Sequence, residues 1–241
     1  MKSRVKKLAG KKATRGLRVS TFHRLALNIL QKEYAALDYK PGFSVFASGD
    51  CITVLSELLK VTGERGMDAA EAAHWQISQW KNDGIMPEQA TIVAEDDRQF
   101  GIAKLYSQYQ RQLHAYNAFD LDDLILQTAH LFKTRKDILE KWQHNIHYLL
   151  VNEYQDTNAM QYELVRMLAE ERQCLTAVGD DDQSIYAWRG ARPENLVQLS
   201  RDFPSLQVIK LEQNYRSSRR ILKLANELIK NNPHVYEKKL W

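Results

Sequence analysis

Residues 149–158 read Leu149-Leu150-Val151-Asn152-Glu153-Tyr154-Gln155-Asp156-Thr157-Asn158. An apolar run stops abruptly at polar and acidic residues. A buried parallel strand has this pattern when it delivers carboxylates to the carboxyl edge of a sheet, where open α/β folds bind their ligands. Working outward, 146–151, 174–178 and 206–211 are short apolar runs that suit buried strands, with helical segments near 158–170 and 193–201 between them. Such alternation predicts a parallel α/β sheet. Residues 217–230 predict a final helix, with Ser217 or Ser218 as N-cap and Pro233 beyond its end.

The preceding hundred residues have a different pattern. A short strand is expected over 17–21, with Phe22 and His23 at its carboxyl end and a helix following through Leu25, Ile29 and Leu30. From Gly42 to about Asn145 the spacing is helical: Val54, Leu55, Leu58 and Leu59; Ala72, Trp75 and Trp80; Phe100, Leu105, Tyr109 and Leu113; Leu121, Leu124, Ile125 and Leu131. Gly63 and Asn82-Asp83-Gly84 punctuate it. The expectation is a helical module without strands, with Trp75, Trp80 and Trp142 in its core.

Bulk properties narrow the class. With 241 residues, 44% apolar and 10% aromatic, the chain has material for a real core and is not a disordered tract. A net charge of +4 permits nucleic-acid binding without requiring it. Cys51 and Cys174 are far apart and lack metal-ligand spacing, which argues against a disulfide scaffold or zinc site and for reduced thiols in the cytoplasm. No apolar run reaches membrane-spanning length. The first 18 residues carry eight Lys and Arg and no acid, and read as a solvated basic helix or a phosphate-binding arm.

Two further runs are specific: residues 178–191, Val-Gly-Asp-Asp-Asp-Gln-Ser-Ile-Tyr-Ala-Trp-Arg-Gly-Ala, and residues 211–218, Leu-Glu-Gln-Asn-Tyr-Arg-Ser-Ser. With Ser20-Thr21-Phe22-His23 and the run around Glu153, they resemble motifs Ia, II, III and IV of superfamily-one DNA helicases of the UvrD/Rep type, in the right order. The resemblance runs from about Arg18 to the C-terminus. It implies an α/β fold: a partial RecA-like P-loop NTPase sheet with a large, mostly helical inserted domain. Residues 1–24 and 146–211 would form the first RecA-like domain, 25–145 the insertion, and 212–241 the start of a second RecA-like domain.

The resemblance also implies roles. Glu153 would be the general base that activates water, and Asn152 stands where a magnesium-binding Asp is expected. Asn keeps a carbonyl oxygen but no charge, so a hard divalent cation should be held weakly. Asp156 would orient the loop. Gln183 would sense the γ-phosphate, and Arg216 would reach it as an arginine-finger element. Tyr215 would stack on adenine or pack beneath it. Thr21, Phe22, His23, Tyr186, Trp188 and Arg189 would meet single-stranded DNA, since exposed aromatics stack on bases. Phe22 could equally cap the core, and Tyr186 is open between stacking and packing. Asp180, Asp181 and Asp182 lack EF-hand spacing. Residues 119–124 resemble the short motif that closes the inserted domain and read as structural.

ATP and magnesium are the implied cofactors, single-stranded DNA the implied partner, and 3′ to 5′ unwinding in DNA replication or repair the implied activity. No Gly-x-x-x-x-Gly-Lys-Ser/Thr occurs in the 241 residues, so the phosphate-cradling loop is expected upstream and further helicase segments downstream. The chain alone is therefore expected not to hydrolyse ATP. Two rivals are a non-hydrolysing single-strand-binding or interaction module and a truncated gene relic.

Overall fold

Asn158 starts the helix that organises the molecule. Its Oδ1 accepts from Gln161 N at 2.8 Å, and the Gln161 side chain returns a bond to Asn158 N, a reciprocal cap for α9 (Ala159–Ala169). In the computed structural model, which describes residues 2–62, 66–232, 236 and 238–241, this helix is buried on two sides. Met160, Leu164, Met167 and Leu168 face one hydrophobic cluster, and Tyr162, Val165 and Ala169 face another.

The second of these clusters is the α/β part. β3 (Leu149–Asn152) and β4 (Leu175–Val178) pair in parallel, Leu149 with Leu175 through Asn152 with Val178, and α9 is the crossover between them. α10 (Asn195–Asp202) adds Leu199 to the same cluster. One face of this sheet is covered. The other is open, with Leu150 68% exposed, so the strand expected to be buried is half-buried.

The first cluster joins α2 (Phe22–Glu33), α7 (Leu121–Thr134) and α8 (Lys136–Asn145) to α9. A further cluster lies wholly between Cys51 and Ala118. It is built from α3 (Ser48–Thr62), α4 (Met67–Asn82) and α6 (Asp97–Ala115), with α5 (Pro87–Val93) against it. A basic helix, α1 (Lys2–Ala13), has no buried residue, and α11 (Arg219–Ile229) buries Leu222.

Several expectations need correction. Residues 17–21 form no strand: Thr21 caps α2 by accepting from Arg24 N at 3.3 Å, so Phe22 and His23 open a helix and do not follow a strand. Residues 206–211 form no ladder either, and Ile209 and Leu211 are exposed. An apolar run becomes a strand only with a partner for its backbone groups. Conversely, the helical stretch contains β1 (Ser44–Phe46) and β2 (Ala118–Asp120), paired in parallel. α4 buries Ala70, Ala73, Ile77 and Trp80, which turns Trp75 outward at 60% exposure, whereas Trp80 and Trp142 are core. Phe100 and Leu121 are likewise exposed. Gly63 and Pro233 lie outside the described residues. No described helix is long and apolar enough to cross a membrane, and Cys51 and Cys174 are unpaired.

Candidate functional site

β3 ends at Asn152, and the next residue breaks the backbone pattern. Glu153 adopts φ 54 and ψ 48, the left-handed region. For a non-glycine residue this conformation costs roughly 1–3 kcal/mol and persists only where the surroundings impose it. The surroundings are Gln155, which is 1% exposed. Its Nε2 donates to Glu153 Oε2 at 2.9 Å, and its Oε1 accepts from Asp180 N at 3.0 Å. A buried primary amide thus joins the carboxylate after β3 to the turn after β4. Gly179 makes the approach possible: a Cβ there would lie 2.9 Å from Gln155 Oε1.

That turn carries Gln183. A single 3-10 turn spans Asp181–Gln183, started by the Asp180 side chain, and Gln183 Nε2 donates to Asp180 Oδ2 at 2.6 Å. Asp180, Asp181 and Asp182 converge within 4.8 Å of one another. Lys238 Nζ sits among them, bonded to Asp180 and lying 2.5 Å from Asp181 and 3.0 Å from Asp182. Burial alone would push Asp180 up, but Lys238 and Gln183 outweigh it and hold its carboxyl below the ordinary value. Lys238 is pushed up by the same three carboxylates against its own burial. The triple-Asp turn is partly compensated by one lysine of this chain, which contacts all three carboxylates.

Asn152 Nδ2 approaches Glu153 Oε1 at 3.4 Å. One neutral amide and one carboxylate that already accepts from Gln155 are a poor donor set for magnesium, which favours carboxylate oxygen and strict octahedral geometry. The residues present do not fit a magnesium ion well. Asp156 shows strain of a different kind. Its Oδ1 is buried without a hydrogen bond, and burial, then the Glu153 charge, push its carboxyl above the ordinary value.

The motif after Gln183 leads to the exposed aromatics. Ser184 Oγ donates to Gln155 O at 3.4 Å, so the buried glutamine holds this end too. Trp188, in the 3-10 turn Ala187–Arg189, is 65% exposed and Tyr186 39% exposed. The side chain of Arg189 lies outside the described residues. Phe22 is half-buried and packs against the clusters on both sides of α9. Thr21 is exposed and occupied as a cap, and His23 is half-buried in the first turn of α2. Tyr215 and Arg216 stand apart from this assembly: Tyr215 is 86% exposed with its hydroxyl on Gln213, and Arg216 N donates to Asn214 Oδ1 at 2.9 Å. The residue not anticipated is Gln155. Its position in a strand-end motif is legible, but two of its three partners, Asp180 and Ser184, come from a turn 25 to 29 residues on.

Parallel strand pairs, one with a carboxylate and a buried amide at its edge, beside a larger helical body define an α/β protein. The UvrD/REP helicase N-terminal domain family matches residues 1–204, and the chain belongs to this family. It is 53% identical over 241 residues to the ATP-dependent DNA helicase Rep of Salmonella typhimurium and 52% identical to that of Escherichia coli, with the whole chain aligned. The ATP-dependent DNA helicase PcrA of Bacillus subtilis is 40% identical over 245 residues. These alignments cover 36%, 36% and 33% of the relatives, so the chain spans about a third of their length.

Proposed function

We propose that this chain is part of an ATP-dependent DNA helicase that binds single-stranded DNA and moves 3′ to 5′. The observation carrying the proposal is the Gln155 bridge, which ties the strained Glu153 to the turn of Gln183 and to the segment leading to Trp188. Bound ATP would supply the phosphoanhydride bond broken at this edge. Glu153 would accept a proton from the attacking water, and Gln155 would hold its carboxylate in one orientation. Gln183 and, from the following segment, Arg216 would face the phosphates, with Tyr215 beside the adenine. Asn152 would weaken the magnesium position. Trp188 and Tyr186 would stack on bases, aided by Arg189, Thr21 and His23, with Phe22 chiefly supporting them from the core.

We assign 1–24 and 146–211 to a first RecA-like domain, 25–145 to a helical insertion and 212–241 to the start of a second RecA-like domain. A hydrophobic cluster lying wholly between Cys51 and Ala118 supports the insertion as a unit. A cytoplasmic role in replication or repair belongs to the same reading. One observation favours a second reading, a single-strand-binding module without hydrolysis: the side chain before Glu153 is an uncharged amide.

Fluorescence anisotropy with labelled oligonucleotides tests the shared element of both. The chain should prefer single strands to duplex with little sequence preference, and its affinity should fall as salt is raised, because lysines and arginines displace counterions from phosphates. Absence of binding at low salt would remove the DNA assignment.

A further inference from the structure

Three segments distant in sequence meet at the C-terminal end of α4. The first is the turn Asn82-Asp83-Gly84. It is fixed to the body of the helical unit by the residue before it: Lys81 is fully buried, with Nζ 2.6 Å from Asp120 and 2.8 Å from Asp123. Asn82 Nδ2 adds bonds to Ser78 O at 2.8 Å and Asp122 Oδ1 at 3.3 Å. The second segment follows Glu153. Asn158 Nδ2 donates to Asn82 Oδ1 at 2.5 Å, and a Cβ on Gly84 would overlap the Met160 side chain. The third follows Trp188. Arg192 Nη2 meets Asp83 Oδ1 at 2.5 Å, while Arg192 N donates to Thr157 O at 2.9 Å. Gly190 faces both Asn82 and Asn158: a Cβ there would lie 3.8 Å from the Asn82 Cβ and 3.9 Å from the Asn158 Cβ.

Asn82 therefore holds the segment behind Glu153, and its neighbour Asp83 holds the segment behind Trp188. Both grips come from one turn that a buried ion triad makes rigid. We propose that Asn82 and Asp83 are positioning residues, a two-point clasp by which the helical unit sets the Trp188 turn for single-strand binding. The inference deepens the proposed function and rests on its DNA assignment. It does not require Asp83 to touch DNA. The ion pair is half-exposed, so its own contribution to stability is small.

The test measures single-strand affinity of the 241-residue chain by anisotropy, with thermal unfolding alongside. Asp83→Ala and Arg192→Ala should each weaken binding by about three- to thirtyfold, the range of modest coupling effects, with little change in Tm. The exchange Asp83→Arg with Arg192→Asp should restore most of the loss, and Arg192→Lys should stay near the parent. If Asp83→Ala leaves affinity unchanged or tightens it while Arg192→Ala weakens it, Arg192 contacts DNA directly and the clasp is wrong. A failed rescue by the exchange overturns it as well. If the parent chain itself does not bind single strands, the DNA assignment falls first and takes the clasp with it.

Discussion

Gln155 Nε2 donates to Glu153 Oε2 across 2.9 Å, from a side chain almost without solvent access. The other end of the same amide holds Asp180 N. An amide used at both ends inside a protein has no cheap replacement, because truncation strands a donor and an acceptor at once. Gln155→Ala should therefore destabilise the chain by about 1–3 kcal/mol. Urea unfolding should show a lower midpoint with an unchanged slope. A midpoint equal to the parent's would mean that water replaces the amide and that the bridge does not constrain Glu153.

The 241-residue chain should show no ATP hydrolysis that responds to single-stranded DNA, since it contains no phosphate-cradling Gly-Lys-Ser/Thr loop. Steady-state assays with and without oligonucleotide check this. Turnover that vanishes in Glu153→Gln would overturn the expectation. In a longer protein that includes such a loop, Asn152→Asp should raise hydrolysis by orders of magnitude with little effect on DNA affinity, because the added charge acts at the phosphates. Equal rates would show that residue 152 is not a metal-shell position.

The parts legible in the sequence are those whose cause is local. The helical segment expected near 158–170 becomes α9, and the runs before Glu153 and before Gly179 become β3 and β4. Residues 119–124 read as structural, and Asp120 does cap α7 while binding Lys81. Features set by distant partners were hidden. β1 and β2 are three residues each, too short for an alternating pattern. Residues 17–21 and 206–211 look like strands, but no neighbour among the described residues pairs with them. In α4 the abundance of alanine makes two faces equally apolar in spacing, so the pattern alone does not separate exposed Trp75 from buried Trp80. The Asp83–Arg192 contact spans 109 residues and leaves no trace in either local pattern.

Lys81 carries a pH signature. Burial, then the Asp120 charge, push the Asp123 carboxyl up to about 6 from 3.8. Between those values the folded chain holds a proton that the unfolded chain has released, so this group's contribution to stability falls as pH rises through the window. Asp120 moves the other way: burial would raise it, but Lys81 prevails, and its contribution is lost as pH falls through its lowered value. In Lys81→Met neither carboxylate has its cation, and both should become harder to ionise. The cost should be about 3–5 kcal/mol at pH 8, as for other broken buried pairs, and smaller at pH 5, where protonation relieves the repulsion. Urea unfolding at the two pH values measures it. An equal loss at both would assign Lys81 a packing role alone.

Trp188 should supply the main stacking surface. Its ring is 65% exposed, on a turn held from one side by Ser184 with Gln155 and from the other by Arg192 with Thr157. A large aromatic on a fixed support stacks on any base at little entropic cost, which gives affinity without sequence preference. Trp188→Ala should weaken single-strand binding by about 1–3 kcal/mol and leave the fold intact. Trp75→Ala, at a similarly exposed position on α4, should leave binding unchanged and serves as the control. Anisotropy titrations report affinity, and far-ultraviolet circular dichroism reports folding. Equal effects of the two substitutions would show that exposed tryptophan contributes nonspecifically. A molten Trp188→Ala would place the ring in the core, and the stacking assignment would then pass to Tyr186.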